Sequence, residues 1–276
     1  MNRPLCILHA NCQGEELASL LTASREFSAN WRLRHYTNYT REPIPDEAFA
    51  ECSLLLYQQL GPQWGDLSSS ALLARLSASA VSLCIPNMMF RGYWPFWNDP
   101  PPIIFGDKLL DRFIDEGADK SVILRLYLHK DIGRYIDLDE ALAHTMRVEE
   151  RRQASAFMRV TDIVAECWRD EPLFLTANHP GTRLLEAVAG GILENLGLPP
   201  LNAEERARLG AFPSYADFEL PIHPQIAAHH KLTFIRPEHR YLVYGRRMTF
   251  EEYVSRYIDC RMNKMDDAFM GYLQVV

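Results

Sequence analysis

Hydrophobic and polar residues alternate in blocks along the N-terminal part of the chain. Pro4–Ala10 is an apolar run without a helical period, which is typical of a buried β-strand. The polar residues Asn11–Gly14 follow, and Glu15–Thr22 then places leucines at helical spacing, with two acidic residues in the first turn. This order predicts a strand, a tight polar turn and a helix, which together open a βα unit.

The same alternation continues through the rest of the chain. Further strands are predicted at Trp31–Tyr36, Ser53–Gln58, Ala80–Ile85 and Leu173–Ala177. Helices are predicted at Asp46–Glu51, Ser68–Ser77, Lys108–Glu116 and Ser121–Leu128, from Asp137 to Arg169 with a break, at Arg183–Leu196, and after Thr249. Met88–Pro102, dense in aromatic residues and proline, and Pro199–Pro224 are expected to be irregular.

These elements predict an α/β protein with three layers, α/β/α, around a mainly parallel, Rossmann-like sheet. We expect one domain over residues 1–276, with helical additions and a helical, loop-rich C-terminal part. In such sheets, ligands bind at the carboxyl ends of the strands. The turns Asn11–Gly14 and Asn178–Thr182 each follow a predicted strand and precede a helix, so we expect them at the same edge of the sheet.

Composition narrows the classes of function. The 276 residues are 47% hydrophobic and 24% charged, as in folded proteins large enough to build a core without disulfides or a metal. A net charge of −7 argues against nucleic acid or an anionic lipid surface as a partner. No apolar run approaches the roughly 18 residues of a membrane span. The oligomeric state stays open.

The six cysteines show neither disulfide-scaffold nor zinc-site spacing. None lies in a C-x-x-C pair, and the N-terminus lacks the apolar stretch of a signal peptide, so we expect free thiols in a reducing cytoplasm. Cys6, Cys84 and Cys167 lie among apolar neighbours and are expected to be buried. Cys12 differs, because its neighbours are Asn11, Gln13 and Gly14.

Cys12 lies where the first strand gives way to a helix. Free backbone N–H groups and the helix dipole favour an anion there, so we expect a lowered pKa and a nucleophilic thiol. His179, in the second polar turn, is the best candidate for its base, whereas Asn11, Gln13 and Asn87 could donate hydrogen bonds to an oxyanion. The competing interpretation makes Cys12 a half-buried packing residue and His179 a turn residue.

Two segments carry a resemblance to a known family. His9-Ala10-Asn11-Cys12-Gln13 resembles the G-N-C-Q signature of the WcbI-type polysaccharide-biosynthesis acetyltransferases, with Ala10 where that family often has Gly. Phe174–Pro180 resembles its second block, an N-H-P turn after a strand, and Leu220–Pro224 and the C-terminal helix are similar to its C-terminal part.

The resemblance implies a fold related to the SGNH hydrolases and an O-acetyltransferase of surface (capsular) polysaccharide biosynthesis. Acetyl-coenzyme A would be the donor and a sugar hydroxyl the acceptor. Cys12 and His179 would be the reacting pair, with Asn11 and Gln13 beside them.

Other residues are candidates for binding these substrates. The aromatic segment Phe90–Trp97, with Trp94 at its centre, is a candidate wall for a sugar ring or a pantetheine arm, or else an aromatic plug over the sheet. Asn178 is a second candidate for contact with substrate. Gly14, Arg91 and Arg183 are candidates for holding the coenzyme, whose phosphates need cations or helix N-termini, although an arginine is more often a solvated surface residue.

Two other functions use the same residues. An SGNH-like esterase or deacetylase would employ the Cys12–His179 pair with water as acceptor, and a non-catalytic protein would only bind a glycan or coenzyme A. We expect no metal: His229 and His230 have no third ligand nearby in sequence, and adjacent residues of an extended segment point to opposite faces.

Overall fold

The computed structural model describes residues 3–98, 105–265 and 269–275. The strands are β1 (Leu5–Ala10), β2 (Arg32–Thr37), β3 (Cys52–Gln58), β4 (Val81–Ile85), β5 (Trp97–Asn98), β6 (Gly106–Asp107), β7 (Phe174–Thr176), β8 (His179–Pro180), β9 (Tyr241–Val243) and β10 (Arg246–Met248). The helices are α1 (Gln13–Ala23), α2 (Arg25–Asn30), α3 (Asp46–Glu51), α4 (Ser69–Ala74), α5 (Lys108–Asp115), α6 (Lys120–His129), α7 (Leu138–Arg152), α8 (Val160–Cys167), α9 (Thr182–Asn195), α10 (Ala203–Ala207), α11 (Pro224–His230), α12 (Phe250–Met262) and α13 (Phe269–Val275).

The chain divides into two compact units. The first consists of Met1–Met88, Val148–Ala165 and Pro180–Ser214, and the second of Met89–Arg147, Glu166–His179 and Tyr215–Val276. Each unit is described by itself below, and the expectation of a single domain stays a prediction. Among the described residues, no helix combines the length and the apolar character needed to cross a membrane.

The first unit is built on a four-stranded parallel sheet in the order β2-β1-β3-β4. Every residue of β1 is buried, as expected for a central strand covered on both faces. On one face, Leu5 and Ile7 pack with Phe49 of α3 and Leu72 of α4. The alternate side chains point to the other face, where α1 packs against β1, β2 and α9. The predicted three-layer α/β/α fold with a parallel sheet is therefore confirmed.

The second unit is mainly helical, with short antiparallel strand pairs. Helices α5, α6 and α12 pack together, and α12 begins at Thr249 with a capping box completed by Glu252, where the sequence predicted a helix. β5 pairs with β6 and β9 with β10, both antiparallel. Residues 99–102, the proline-rich end of the predicted irregular segment Met88–Pro102, lie outside the described residues.

Two expectations need correction, and one is confirmed. Phe174–Thr176 pairs with His179–Pro180 in a two-stranded sheet and is not a strand of the parallel sheet, so the argument that both polar turns share one sheet edge is wrong. The helix predicted from Asp137 to Arg169 with a break is confirmed as α7 and α8, with Asp137 accepting hydrogen bonds from the first-turn N–H groups of α7. His229 and His230 lie in helix α11, not in an extended segment, because Pro224 supplies a favourable first helical residue.

Candidate functional site

The turn between β1 and α1 is held by Asn11. Its Oδ1 accepts the backbone N–H of Gln13 at 3.0 Å, and its backbone carbonyl accepts that of Gly14 at 2.9 Å. Its side-chain NH₂ donates to Oδ1 of Asn87 at 3.2 Å, at the end of β4. Cys12 is thereby fixed as the residue that caps α1, with helical backbone angles. Asn11 therefore has a structural role, because its hydrogen bonds hold the turn in shape.

Gln58, which the sequence analysis did not single out, lies at the centre of this arrangement. Gln58 is the last residue of β3, and its side chain is fully buried. Its Oε1 accepts the backbone N–H of Asn11 at 2.9 Å and the side chain of Asn38 at 3.4 Å. Its NH₂ donates to Oδ1 of Asn11 and Oε1 of Gln13, each at 3.3 Å, and to the carbonyl of Pro86 at 3.4 Å. One amide therefore joins the carboxyl ends of all four strands.

Gln13 has a structural role that the sequence did not predict. Its side chain is fully buried, with its NH₂ donating to the carbonyl of Met88 at 2.6 Å and its Oε1 accepting the N–H of Met88 at 3.1 Å. The amide thus clamps the chain after β4, which leaves it poorly suited to stabilise an oxyanion. Asn87 is better placed, since its NH₂ group has no hydrogen-bond partner among the described residues.

The Cys12 thiol is half-buried, whereas the other five cysteines are buried, and all six are free. Burial raises the pKa of Cys12, and the carboxylates of Glu15 and Glu16 add to the rise, although hydrogen bonds from the backbone N–H groups of Cys12 and Gln13 lower it. The expected lowering of its pKa is therefore wrong, because loss of solvent outweighs the helix N-terminus. At neutral pH, Cys12 is a protonated thiol that needs a base to react.

Gly14 allows α1 to approach the sheet closely. A Cβ at this position would lie 2.9 Å from Cβ of Ala10 and would collide with the imidazole of His35. The residue is buried, so the structure gives it a packing role, and its expected contact with the coenzyme stays a prediction.

We expect Gly14→Ala to lower the free energy of unfolding by about 1–3 kcal/mol, the usual cost of overpacking a core. Urea unfolding followed by circular dichroism measures this change. Gly190→Ala is the matched control: a Cβ there meets no atom within 4 Å, so alanine in mid-helix should keep or raise stability by about 0.5–1 kcal/mol. Equal unfolding midpoints for the two variants would contradict the packing role of Gly14.

His179 is the first residue of β8 and the last residue of the second unit's segment Glu166–His179, and its setting is aromatic. Its ring stacks on Tyr215, with centroids 4.5 Å apart and planes 20° apart, and meets the edge of Phe105 at 5.9 Å. Burial lowers the pKa of His179 to about 4, so the imidazole is neutral at physiological pH. Asn178 beside it accepts a hydrogen bond at Oδ1 from the hydroxyl of Thr176 at 2.9 Å. A neutral imidazole is the form that a general base requires.

The aromatic segment forms one wall of a cavity within the second unit. Trp94 is almost fully buried, and its Nε1 donates to the carbonyls of Leu220 and Pro221 at 3.1 and 3.2 Å. Its main role is therefore packing in the core. Two other polar atoms of this lining, Nε1 of Trp97 and the hydroxyl of Tyr253, are buried without a hydrogen-bond partner among the described residues. The segment is therefore both a core plug and the lining of a cavity with two free donors.

The two arginines expected to bind phosphate are both exposed. Arg91 lies in the second unit, with its guanidinium over the ring of Trp97 at 4.6 Å. Arg183 lies in the first turn of α9, in the first unit. The structure thus groups Asn11, Cys12, Gln13 and Asn87 in the first unit and places Asn178, His179, Trp94 and Arg91 in the second.

Comparisons with known proteins bear on this site. Residues 5–201 match the family model described as "Polysaccharide biosynthesis enzyme WcbI". A solved structure described as WcbI, a novel polysaccharide biosynthesis enzyme, in its native form without a disulfide bond between coenzyme A and a cysteine, is similar over 99% of both chains, with a TM-score of 0.75 and 19% identity. At that identity the likeness supports the fold. The curated proteins contain no match.

Proposed function

Because the chain belongs to the WcbI family of polysaccharide biosynthesis enzymes, we propose that it transfers an acetyl group from acetyl-coenzyme A to a sugar hydroxyl. The acceptor would belong to a surface polysaccharide such as a capsule. The six free thiols support a reducing, cytoplasmic setting for this step.

The observation that carries the proposal is the placement of the Cys12 thiol. It is the one partly exposed thiol of the six, and it lies at the N-terminus of α1 in a turn held by amides. The solved WcbI structure is described by reference to a disulfide between coenzyme A and a cysteine of that protein, which supports coenzyme A as the ligand whose thiol comes near a cysteine. A thioester donor would present its reacting carbon at the same place.

The proposed transfer has two steps. In the first, Sγ of Cys12 attacks the thioester carbonyl while His179 accepts the thiol proton, and coenzyme A leaves as a thiol after regaining that proton. In the second, the sugar oxygen attacks the acetyl group on Cys12, and His179 passes the hydroxyl proton to the departing sulfur. In the simpler alternative, His179 activates the sugar hydroxyl directly and Cys12 only helps to bind the donor.

The pKa values favour a concerted proton transfer over a preformed ion pair. The pKa of Cys12 is raised, whereas that of His179 is lowered to about 4. Both shifts favour the neutral thiol and imidazole over a thiolate–imidazolium pair. The thiol therefore loses its proton as the carbon–sulfur bond forms.

Candidate donors for the developing oxyanion lie in the turn and at the end of β4. The NH₂ group of Asn87 has no partner among the described residues, and the backbone N–H of Cys12 points toward its own sulfur. Two such donors are the usual complement of an oxyanion hole. For the substrates, we propose that the cavity lined by Trp94 and Trp97 contacts a sugar ring or the pantetheine arm, and that Arg91 and Arg183 contact phosphates.

Coenzyme A binding is the first measurement. We expect coenzyme A at about 100 times its dissociation constant to stabilise the fold by about 2.7 kcal/mol, which raises Tm by about 5 °C. Differential scanning fluorimetry measures this, with acetate and inorganic phosphate at the same concentrations as controls. If neither coenzyme A nor acetyl-coenzyme A shifts Tm at millimolar concentration, the donor is wrong.

The reaction is tested by following the acetyl group. Purified protein is incubated with labelled acetyl-coenzyme A and candidate sugars, and label moving to a sugar supports the transferase. Acetate released from an acetylated sugar without coenzyme A supports an esterase instead, and coenzyme A binding without turnover of any acceptor supports a non-catalytic role.

A further inference from the structure

A cluster of three potential metal ligands lies on the second unit, apart from the residues assigned to acetyl transfer. It consists of Asp139 in the first turn of α7 and His229 and His230 at the C-terminal end of α11. One carboxylate oxygen and one nitrogen of each ring all lie within 4.8 Å of one another. The third ligand that the sequence analysis could not find is thus supplied by a residue 90 positions earlier in the chain.

We propose that Asp139, His229 and His230 bind a divalent transition-metal ion such as Zn²⁺. Two imidazoles and one carboxylate form a donor set that zinc uses in proteins, with a water molecule in the fourth position. Ligand atoms around tetrahedral zinc lie roughly 3.4 Å apart, so the widest separation in the cluster must shorten by at most about 1.4 Å on binding. Rotation of exposed side chains provides such a movement.

His230 supplies the buried side of the cluster. It is only 4% exposed, and one of its ring nitrogens lies within 4.8 Å of the ligand atoms of Asp139 and His229. The ring is fixed edge-on against Trp168, with centroids 5.1 Å apart. A ring fixed by packing loses little freedom when it binds an ion.

His229 and Asp139 provide the accessible side of the site. Nε2 of His229 lies 2.9 Å from Oδ1 of Asp139, and both side chains are exposed, so an ion can reach them from solvent. The ring centroids of His229 and His230 lie 4.9 Å apart, which helical geometry permits and an extended backbone would not.

The charges around the cluster have opposite effects on a cation. Asp139 and the C-terminal carbonyls of α11 attract it. Arg169 opposes it: its guanidinium is held at 4.4 Å over the ring of Trp168, which packs against His230. A bound ion would join the first turn of α7 to the end of α11 within the second unit.

Zinc binding tests the proposal without any assay of activity. Tag-free protein is dialysed against a chelator and titrated with ZnCl₂ by calorimetry, and Tm is measured with and without zinc. We expect one ion per chain and a higher Tm, whereas MgCl₂ should have no effect, since magnesium prefers an all-oxygen site.

Exposed ligands are chosen for the variants, because removing the buried His230 could impair folding. His229→Ala and Asp139→Asn should each weaken zinc binding at least tenfold, while their Tm without zinc stays near that of the wild type. His144→Ala, an exposed histidine on α7, is the matched control, and Cys12→Ala excludes binding at the reactive thiol. The proposal is wrong if the wild type binds no zinc, or if both variants bind it as the wild type does.

Discussion

Replacing Cys12 with alanine should lower kcat/KM for acetyl transfer at least about 1,000-fold, since loss of a nucleophile removes the covalent route altogether. The thiol is half-buried at the N-terminus of α1, whereas the other five cysteines are buried. Steady-state kinetics with labelled acetyl-coenzyme A measure the loss. Mass spectrometry of the wild type, quenched before the acceptor is added, should find the acetyl group on the peptide that contains Cys12.

The controls separate chemistry from folding. Cys167→Ala removes a buried thiol that the mechanism does not use and should keep kcat/KM within about twofold. Alkylation by iodoacetamide should be fastest at Cys12, but because it is the accessible thiol and not because its pKa is low. If the folded Cys12→Ala variant keeps full turnover, both proposed roles of this thiol, as nucleophile and as a group that binds the donor, are wrong.

Replacing His179 with alanine should lower kcat/KM by roughly 10²–10⁴-fold, the range for loss of a general base. The pH profile gives a sharper result. Because the pKa of His179 is lowered to about 4, its base form is lost only as pH falls through about 4, whereas an ordinary histidine would lose it near 6.5. The wild-type kcat/KM should therefore show no acid limb near 6.5, and the residual activity of the variant should lack the limb near 4.

Two controls accompany this result. His144→Ala should leave the profile unchanged. Burial of neutral His179 also makes the fold less stable as pH falls from about 6.5 to about 4, because only the unfolded chain takes up the proton there, so circular dichroism must follow each assay. If Cys12 and His179 act in one step, the double alanine variant should cost about as much as the worse single one. If the loss of kcat/KM in the double variant equals the product of the losses in the two single variants, the two residues do not act in one step.

Local sequence signals predicted much of the fold. Three predicted elements depend only on neighbouring residues, and all three are confirmed. They are the apolar strand β1, the acidic helix at Asp46–Glu51 and the helix cap at Thr249. The prediction that Phe174–Thr176 joins the parallel sheet was wrong, because a short apolar run does not specify its partner strand. The family resemblance, which depends on two short motifs, is also confirmed.

The site was harder to predict, because its properties come from contacts between distant segments. Asn11 and Gln58 are 47 residues apart, and no periodicity connects a polar residue at the end of one strand with the turn after another. The one available signal was a glutamine closing an otherwise apolar strand. The prediction of a lowered pKa for Cys12 was wrong for a similar reason, since the sequence shows the helix N-terminus but does not show burial.

The amide network around Gln58 has a consequence for every experiment on this enzyme. The side chains that fix the Cys12 turn are Asn11, Gln13, Asn38, Gln58 and Asn87, and none of them gains or loses a proton under assay conditions. Neither acid nor added salt should therefore displace the thiol by altering the charge of its supports. A change in rate with pH is therefore not caused by titration of these five amides.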